Sequence, residues 1–240
     1  MIPKHKDPAR VGTLVRPAMI ARIVPAHGRI VVPDVRCDLT CVRGRLLFSG
    51  PLTQARASLP AGEPLITASF DPLVIMRWLK IPLRLLRDRV VPLADLAPQL
   101  EGPLVEQFLT GTIEAIGLPT SAIRASETDI RLEAAATELR RGGCVQAAAD
   151  RAGLSERQLE RLFETQLGIR PKLYSRILRL RRAIALTGRG AALADAAITA
   201  GYADQSHFNR DMQSLMGGPP SSILQHVGNV QDILSGAVAG

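Results

Sequence analysis

A chain of 240 residues is long enough for one large domain or two small ones, each with a buried core. Its 46% apolar and 22% charged residues are ordinary for a globular protein, and no apolar run reaches the roughly 18 residues that span a bilayer. The net charge of +8 and a pI near 10.2 point to an anionic partner: nucleic acid, a membrane surface or an acidic ligand.

Three cysteines are too few, and odd in number, for a disulfide framework, so the expected compartment is a reducing cytoplasm. The opening MIPKHKDPARVG has charges but no apolar stretch behind them and does not read as a secretory signal.

In chain order, residues 1–100 read as β-rich. RIVVPD (29–34), CDLTCV (37–42), RLLFS (45–49) and PLITASF (64–70) are short β-favouring runs broken by prolines and glycines. Arg43-Gly44 between two of them suits a tight hairpin turn. DPLVIMRWLK (71–80) opens on an aspartate and predicts a short helix. PLVEQFLTGTIEAIGL predicts an amphipathic helix from Pro103, with Leu104, Phe108, Leu109, Ile113 and Ile116 near one face. Residues 101–125 are then a connecting helix and linker. A helical region follows over 126–225, and 226–240 is a small frayed tail. The fold class expected is α+β: a β-rich N-terminal domain, then an all-α domain.

The helical region repeats itself. ADRAGL (149–154) recurs as AITAGY (197–202), 48 positions on, and LGIRP (167–171) as MGGPP (216–220), 49 on. The extra residue is expected in a longer turn of the second unit. Each unit has helix-turn-helix chemistry: small residues where helices cross (Ala149, Ala152; Ala197, Ala200) and a glycine at the turn (Gly153; Gly201). Ser155 is a cap for the next helix. Leu159, Leu162 and Phe163 face inward in the first unit, and Phe208, Met212 and Leu215 in the second. Outward lie Arg157, Glu160, Arg161 and Glu164, then Ser206, His207, Asn209, Arg210 and Gln213. Such polar faces suit base edges and phosphates in a major groove, and equally suit solvent when met once. The repeat favours DNA.

Between the units, RPKLYSRILRLRRAIALTGRG (170–190) has seven basic residues and no acidic one. A helix from Pro171 to Leu186 has 16 residues, about 24 Å at 1.5 Å each. It could hold two readers on one DNA face, and Lys172, Arg176, Arg179, Arg181 and Arg182, with Asn209, are the expected phosphate contacts.

GLSERQLERLFETQLGIRPKLYSRILRLRRA with GYADQSHFNRDMQSLMGGPPSSI resembles the DNA-binding domain of the AraC/XylS family of bacterial transcription regulators, over about 126–224. The resemblance implies two helix-turn-helix units joined by a long central helix. It also implies base contacts from Arg157, Glu160 and Arg161 in the first unit and Ser206, His207 and Arg210 in the second. Met212 stands where the family usually has an aromatic, Gln213 where it is often basic, and Ser222-Ile223-Leu224 replaces the usual Tyr-Arg after the last proline motif. These departures predict weaker packing or backbone grip in the second unit. VVPDVRCDLTCVRGRLLFSGPLTQA is similar to a β-rich domain of uncharacterised role attached to some of these regulators, through Pro33-Asp34, Asp38-Leu39 and Gly50-Pro51. Asp34 and Asp38 either face a ligand or cap turns and strand ends. In the family at large such a domain senses a ligand or makes a dimer.

The partners expected are therefore double-stranded DNA, with RNA polymerase and a second copy bound through the N-terminal part as further candidates. The effector is unknown, and no cofactor, metal or membrane is expected. Two other classes compete. Cys37-Asp-Leu-Thr-Cys41 resembles the cysteine pair of Ada-type repair regulators, in which a zinc-held thiolate accepts a methyl group; this chain has only Cys144 besides, and His27 nearby. A non-specific architectural DNA binder is the other; the distinct outward residues of the two units argue against it.

Overall fold

Arg43 and Gly44 both take positive φ, 50° and 71°, the conformation a two-residue hairpin needs to match the strand twist. They join two strands whose bounds are those expected from the sequence, Cys37–Val42 and Arg45–Ser49. The structure is a computed structural model. It describes residues 14–15, 19–23, 30–57, 65–79, 81–110, 116–117 and 126–224; of these, 14–15, 19–23, 57 and 116–117 are described in backbone only. The tail, His27, Ile113 and most of the linker lie outside the described residues.

The strands are β1 (Leu14–Val15), β2 (Met19–Ile23), β3 (Ile30–Val31), β4 (Cys37–Val42), β5 (Arg45–Ser49), β6 (Arg56–Ala57) and β7 (Leu65–Phe70). Helix α1 (Pro72–Leu79), a 3-10 turn (Leu83–Leu85), β8 (Val90–Pro92), α2 (Leu93–Leu96), α3 (Pro98–Thr110) and β9 (Ile116–Gly117) follow. The main sheet is antiparallel in the order β2-β7-β4-β5-β8; β1 pairs with β9, and β3 with β6. Alternation puts Cys37, Leu39 and Cys41 of β4 on the buried face. Across β4 and β7, Thr40 and Thr67 share a 3.0 Å hydroxyl bond.

Two expectations need correcting. Helix α3 starts at Pro98, not Pro103, which lies inside it; proline's fixed φ suits a first helical position, and Pro98 holds the earlier one. Leu104 and Phe108 are buried, but Leu109 is 62% exposed, and Ile116 is in β9, not in the helix. The linker segment thus returns a strand to the start of the chain. Of the described residues of the run at 29–34, only Ile30–Val31 form a strand; Asp34 makes an isolated bridge to Leu52.

The second half is helical: α4 (Glu127–Arg140), α5 (Val145–Ala152), α6 (Glu156–Gln166), α7 (Pro171–Gly188), α8 (Leu193–Ala200), α9 (Gln205–Met216) and α10 (Pro220–Ile223). Ser126 and Asp129 close a capping box on α4, and Ser155 and Gln158 one on α6. The units repeat as expected, with α5 and α8 starting 48 residues apart, α6 and α9 49. The extra residue lies in the turn, Gly153–Ser155 in the first unit and Gly201–Asp204 in the second. Gly153 and Gly201 take the left-handed conformation, at φ 64° and 96°.

Buried residues form one continuous core from Val32 to Ile223, crossing both halves. The seam is also polar. Asp71 Oδ2 pairs with Arg140 of α4 at 2.7 Å, and Arg77 of α1 with Glu133 at 2.7 Å. Gly168, at φ 72°, lies against the 3-10 turn so closely that a Cβ would come within 2.7 Å of Arg84 Cα. Gly153 has open space around it. Gly153→Ala should therefore cost only the left-handed penalty, about 1–2 kcal/mol. Gly168→Ala should cost clearly more, measured by urea unfolding. Equal losses would mean that the Arg84 segment simply gives way.

Candidate nucleic-acid interface

Helix α6 buries Leu159 and Phe163, with Leu162 half-buried, and leaves Arg157, Glu160 and Arg161 exposed. Phe163 meets Tyr174 of α7 edge-on at 5.6 Å, which seats α6 on the central helix. Helix α9 is capped by Asp204, whose carboxylate accepts from His207 N at 2.6 Å. It buries Phe208, Met212 and Leu215 and exposes Ser206, Asn209, Arg210 and Gln213. His207 is half-buried, its ring edge-on to Tyr202 at 5.1 Å. The six residues expected to meet bases thus lie in the first two turns of the second helix of each unit. Met212, where the family usually has an aromatic, is fully buried in this face.

Residues 148–226 match a family model described as a helix-turn-helix domain. They form an AraC-type helix-turn-helix domain. That places the chain among DNA-binding proteins of transcription regulation. No curated protein matches the chain. Solved structures similar to it include ToxT from Vibrio cholerae in a P21 crystal form, 12% identical with a TM-score of 0.45, covering 88% of this chain and 98% of that one. Another is wild-type ToxT from V. cholerae strain SCE256 bound to unsaturated fatty acid, 11% identical with a TM-score of 0.41, covering 90% and 94%.

Within the AraC-type domain, the arginines of α7 have internal partners. Arg176 donates through Nε and Nη2 to Asp211 Oδ1, at 3.0 and 2.7 Å. The guanidinium of Arg179 lies 5.2 Å from the Tyr202 ring centroid. Arg181 reaches Asp34 Oδ2 of the β-rich half at 3.0 Å, and Arg182 donates to the carbonyl of Arg140. Lys172 and Asn209 are exposed. Burial, then the charge of Asp211, pushes the Tyr202 phenol up, so its hydroxyl stays protonated.

Asp211 is the residue that sequence reasoning missed. It is 5% exposed in a helix with a solvated polar face. The signal was present: three residues after Phe208 and four before Leu215, it falls on the inward stripe. Asp34 and Asp38 also work inside the fold. Asp34 accepts from Arg36 N at 3.1 Å, capping a turn, besides pairing with Arg181. Asp38 takes the Ser69 hydroxyl, and burial pushes its carboxyl up to about 6.

Cys37 and Cys41 pack in the sheet core. Burial raises both thiols, most at Cys37, where neighbouring carboxylates add to it. A methyl acceptor needs an accessible thiolate, so this geometry gives that reading no support. Cys144 is exposed and caps α5, its sulfur accepting from Ala147 N.

The Arg176–Asp211 pair makes a stability prediction. Arg176→Ala strands a buried carboxylate and should cost about 1.5–3 kcal/mol, the range for hydrogen bonds to charged groups. Asp211→Ala should cost less, because Arg176 is 31% exposed and can turn to water. Thermal unfolding of both variants and the double variant tests this. Strictly additive losses would show that the pair does not couple.

Proposed function

We propose that this chain is a sequence-specific transcription regulator that reads two adjacent major-groove segments with α6 and α9. One observation carries the reading: two helix-turn-helix units stand in tandem on one connecting helix, each with an exposed face of its own residue pattern. Helix α7 has 18 residues, two more than expected, and spans about 27 Å. That is compatible with two readers about one DNA turn, roughly 34 Å, apart.

Arg157, Glu160 and Arg161 are the base-reading residues of the first unit, and Ser206, His207 and Arg210 those of the second. Lys172 and Asn209, exposed beside them, are the phosphate contacts this reading keeps. For Arg176, Arg179, Arg181 and Arg182, a phosphate would have to displace an internal partner, so their first role is to hold the frame. The proposed division is a β-rich sensor or assembly domain over 1–100, a connector over 101–125 and the DNA-binding domain over 126–225. The proposed compartment is the cytoplasm.

Arginine in a major groove typically pairs with guanine through two hydrogen bonds, each good pair discriminating by about 1–3 kcal/mol. Arg161→Ala and Arg210→Ala should each relax preference at a few base positions, in two separate patches. Folding stability should barely change, since both side chains are exposed and alanine is a good helix former. Binding to a library of single-base operator variants tests this. A uniform loss at every position for both variants would favour phosphate contact and an architectural binder instead.

A further inference from the structure

Two loops of the β-rich half reach the C-terminal ends of both recognition helices. Arg87 Nη1 donates to the carbonyl of Gly168, just beyond α6, at 2.5 Å. Ala55 N donates to the carbonyl of Leu215, in the last turn of α9, at 2.8 Å. The loops are tied to each other. The Asp88 carboxylate accepts from Thr53 N at 2.6 Å and from Thr53 Oγ1 at 2.7 Å, and its Oδ2 lies 3.5 Å from Arg87 Nε. Backbone bonds add to this: Asp88 N to Pro51 O at 2.9 Å, and Gly50 N to Arg89 O at 3.1 Å. Asp88 holds φ at 58°, a left-handed conformation that aspartate tolerates better than most L-residues. Hydrogen bonds and short stretches of backbone therefore connect Leu215, through Ala55, Thr53, Asp88 and Arg87, to Gly168.

We infer that this Thr53–Asp88–Arg87 knot is a brace that fixes the separation of α6 and α9, and so sets the spacing of the two DNA segments the protein accepts. The inference rests on the proposed reading of DNA by those two helices. The base-reading residues lie in the first two turns of each helix, and the brace holds the opposite ends, so it positions the readers without covering them. A one-base-pair change in spacing moves a site by about 3.4 Å and rotates it about the axis. A rigidly held pair of helices therefore accepts one spacing, and a loosely held pair accepts several.

The experiment uses the full chain. Its two preferred half-sites, selected from random duplexes, are placed at the selected spacing and at one and two base pairs more or less. Wild type should favour one spacing sharply. In Arg87→Ala the affinity ratio between best and next spacing should fall by about threefold to tenfold, the scale of one hydrogen bond from a charged group. Base preference within each half-site should stay as in wild type. Arg87→Lys, which keeps a donor, should recover part of the ratio. Thr53→Val, which loses only the hydroxyl bond, should fall between. Arg87 is half exposed, so the fold should survive its loss, as circular dichroism would show. A wild-type spacing preference kept unchanged in Arg87→Ala and Thr53→Val would overturn the brace alone. A wild type indifferent to spacing would overturn the two-reader reading and the brace with it.

Discussion

Everything in the helical half takes its place from one stripe of α7. Tyr174, Ile177, Leu180, Ala183 and Ile184 are buried at helical spacing, and both helix-turn-helix units close against them. A stripe of aliphatic side chains excludes water but fixes no rotation, because apolar contact is non-directional. The directional work falls to the arginines beside it. Arg176 and Arg179 turn to the second unit, Arg182 to the end of α4 and Arg181 to the sheet half. The two ion pairs, Arg176–Asp211 and Arg181–Asp34, are largely buried, where Coulomb gain and desolvation nearly cancel. Their consequence is geometric: a guanidinium fork accepts few orientations of its partner.

Much of this was legible in the sequence. The bounds of β4 and β5 follow from β-branched and apolar runs ending at a turn dipeptide. The repeat, and even the position of its extra residue, follow from two landmarks with unequal spacing. What was not legible has a common cause. Periodicity says which face of a helix is polar but not what lies opposite. Arg176 and Arg181 look alike on α7, yet one meets α9 and the other the β-rich half, across separations of 35 and 147 residues. The basic side chains of the helix between the two units give no sign in the sequence of the internal partners they meet in the fold. The misplaced start of α3 is a local matter: two prolines five residues apart are each suited to open a helix, and tertiary packing of Leu104 and Phe108 is compatible with either.

The two units reach one geometry by different chemistry. After the turn glycine the first unit has Leu154, half-buried, and the second has Tyr202, buried. The ring of Tyr202 meets His207 and Phe208 edge-on and lies under Arg179. It therefore packs directly against the start of α9, which Asp204 also caps, whereas the first unit fixes its start with the Ser155–Gln158 capping box. A capping box orders backbone and leaves neighbouring side chains free to adapt. An aromatic contact also restricts the side chain it touches, here an imidazole proposed to read bases. The exposed Arg157 and Arg161 then have rotamer freedom that His207 lacks, and ordering them on any ligand costs more entropy. On the proposed reading, His207 meets DNA already oriented by Tyr202, while the exposed Arg157, Arg161 and Arg210 are ordered only on binding.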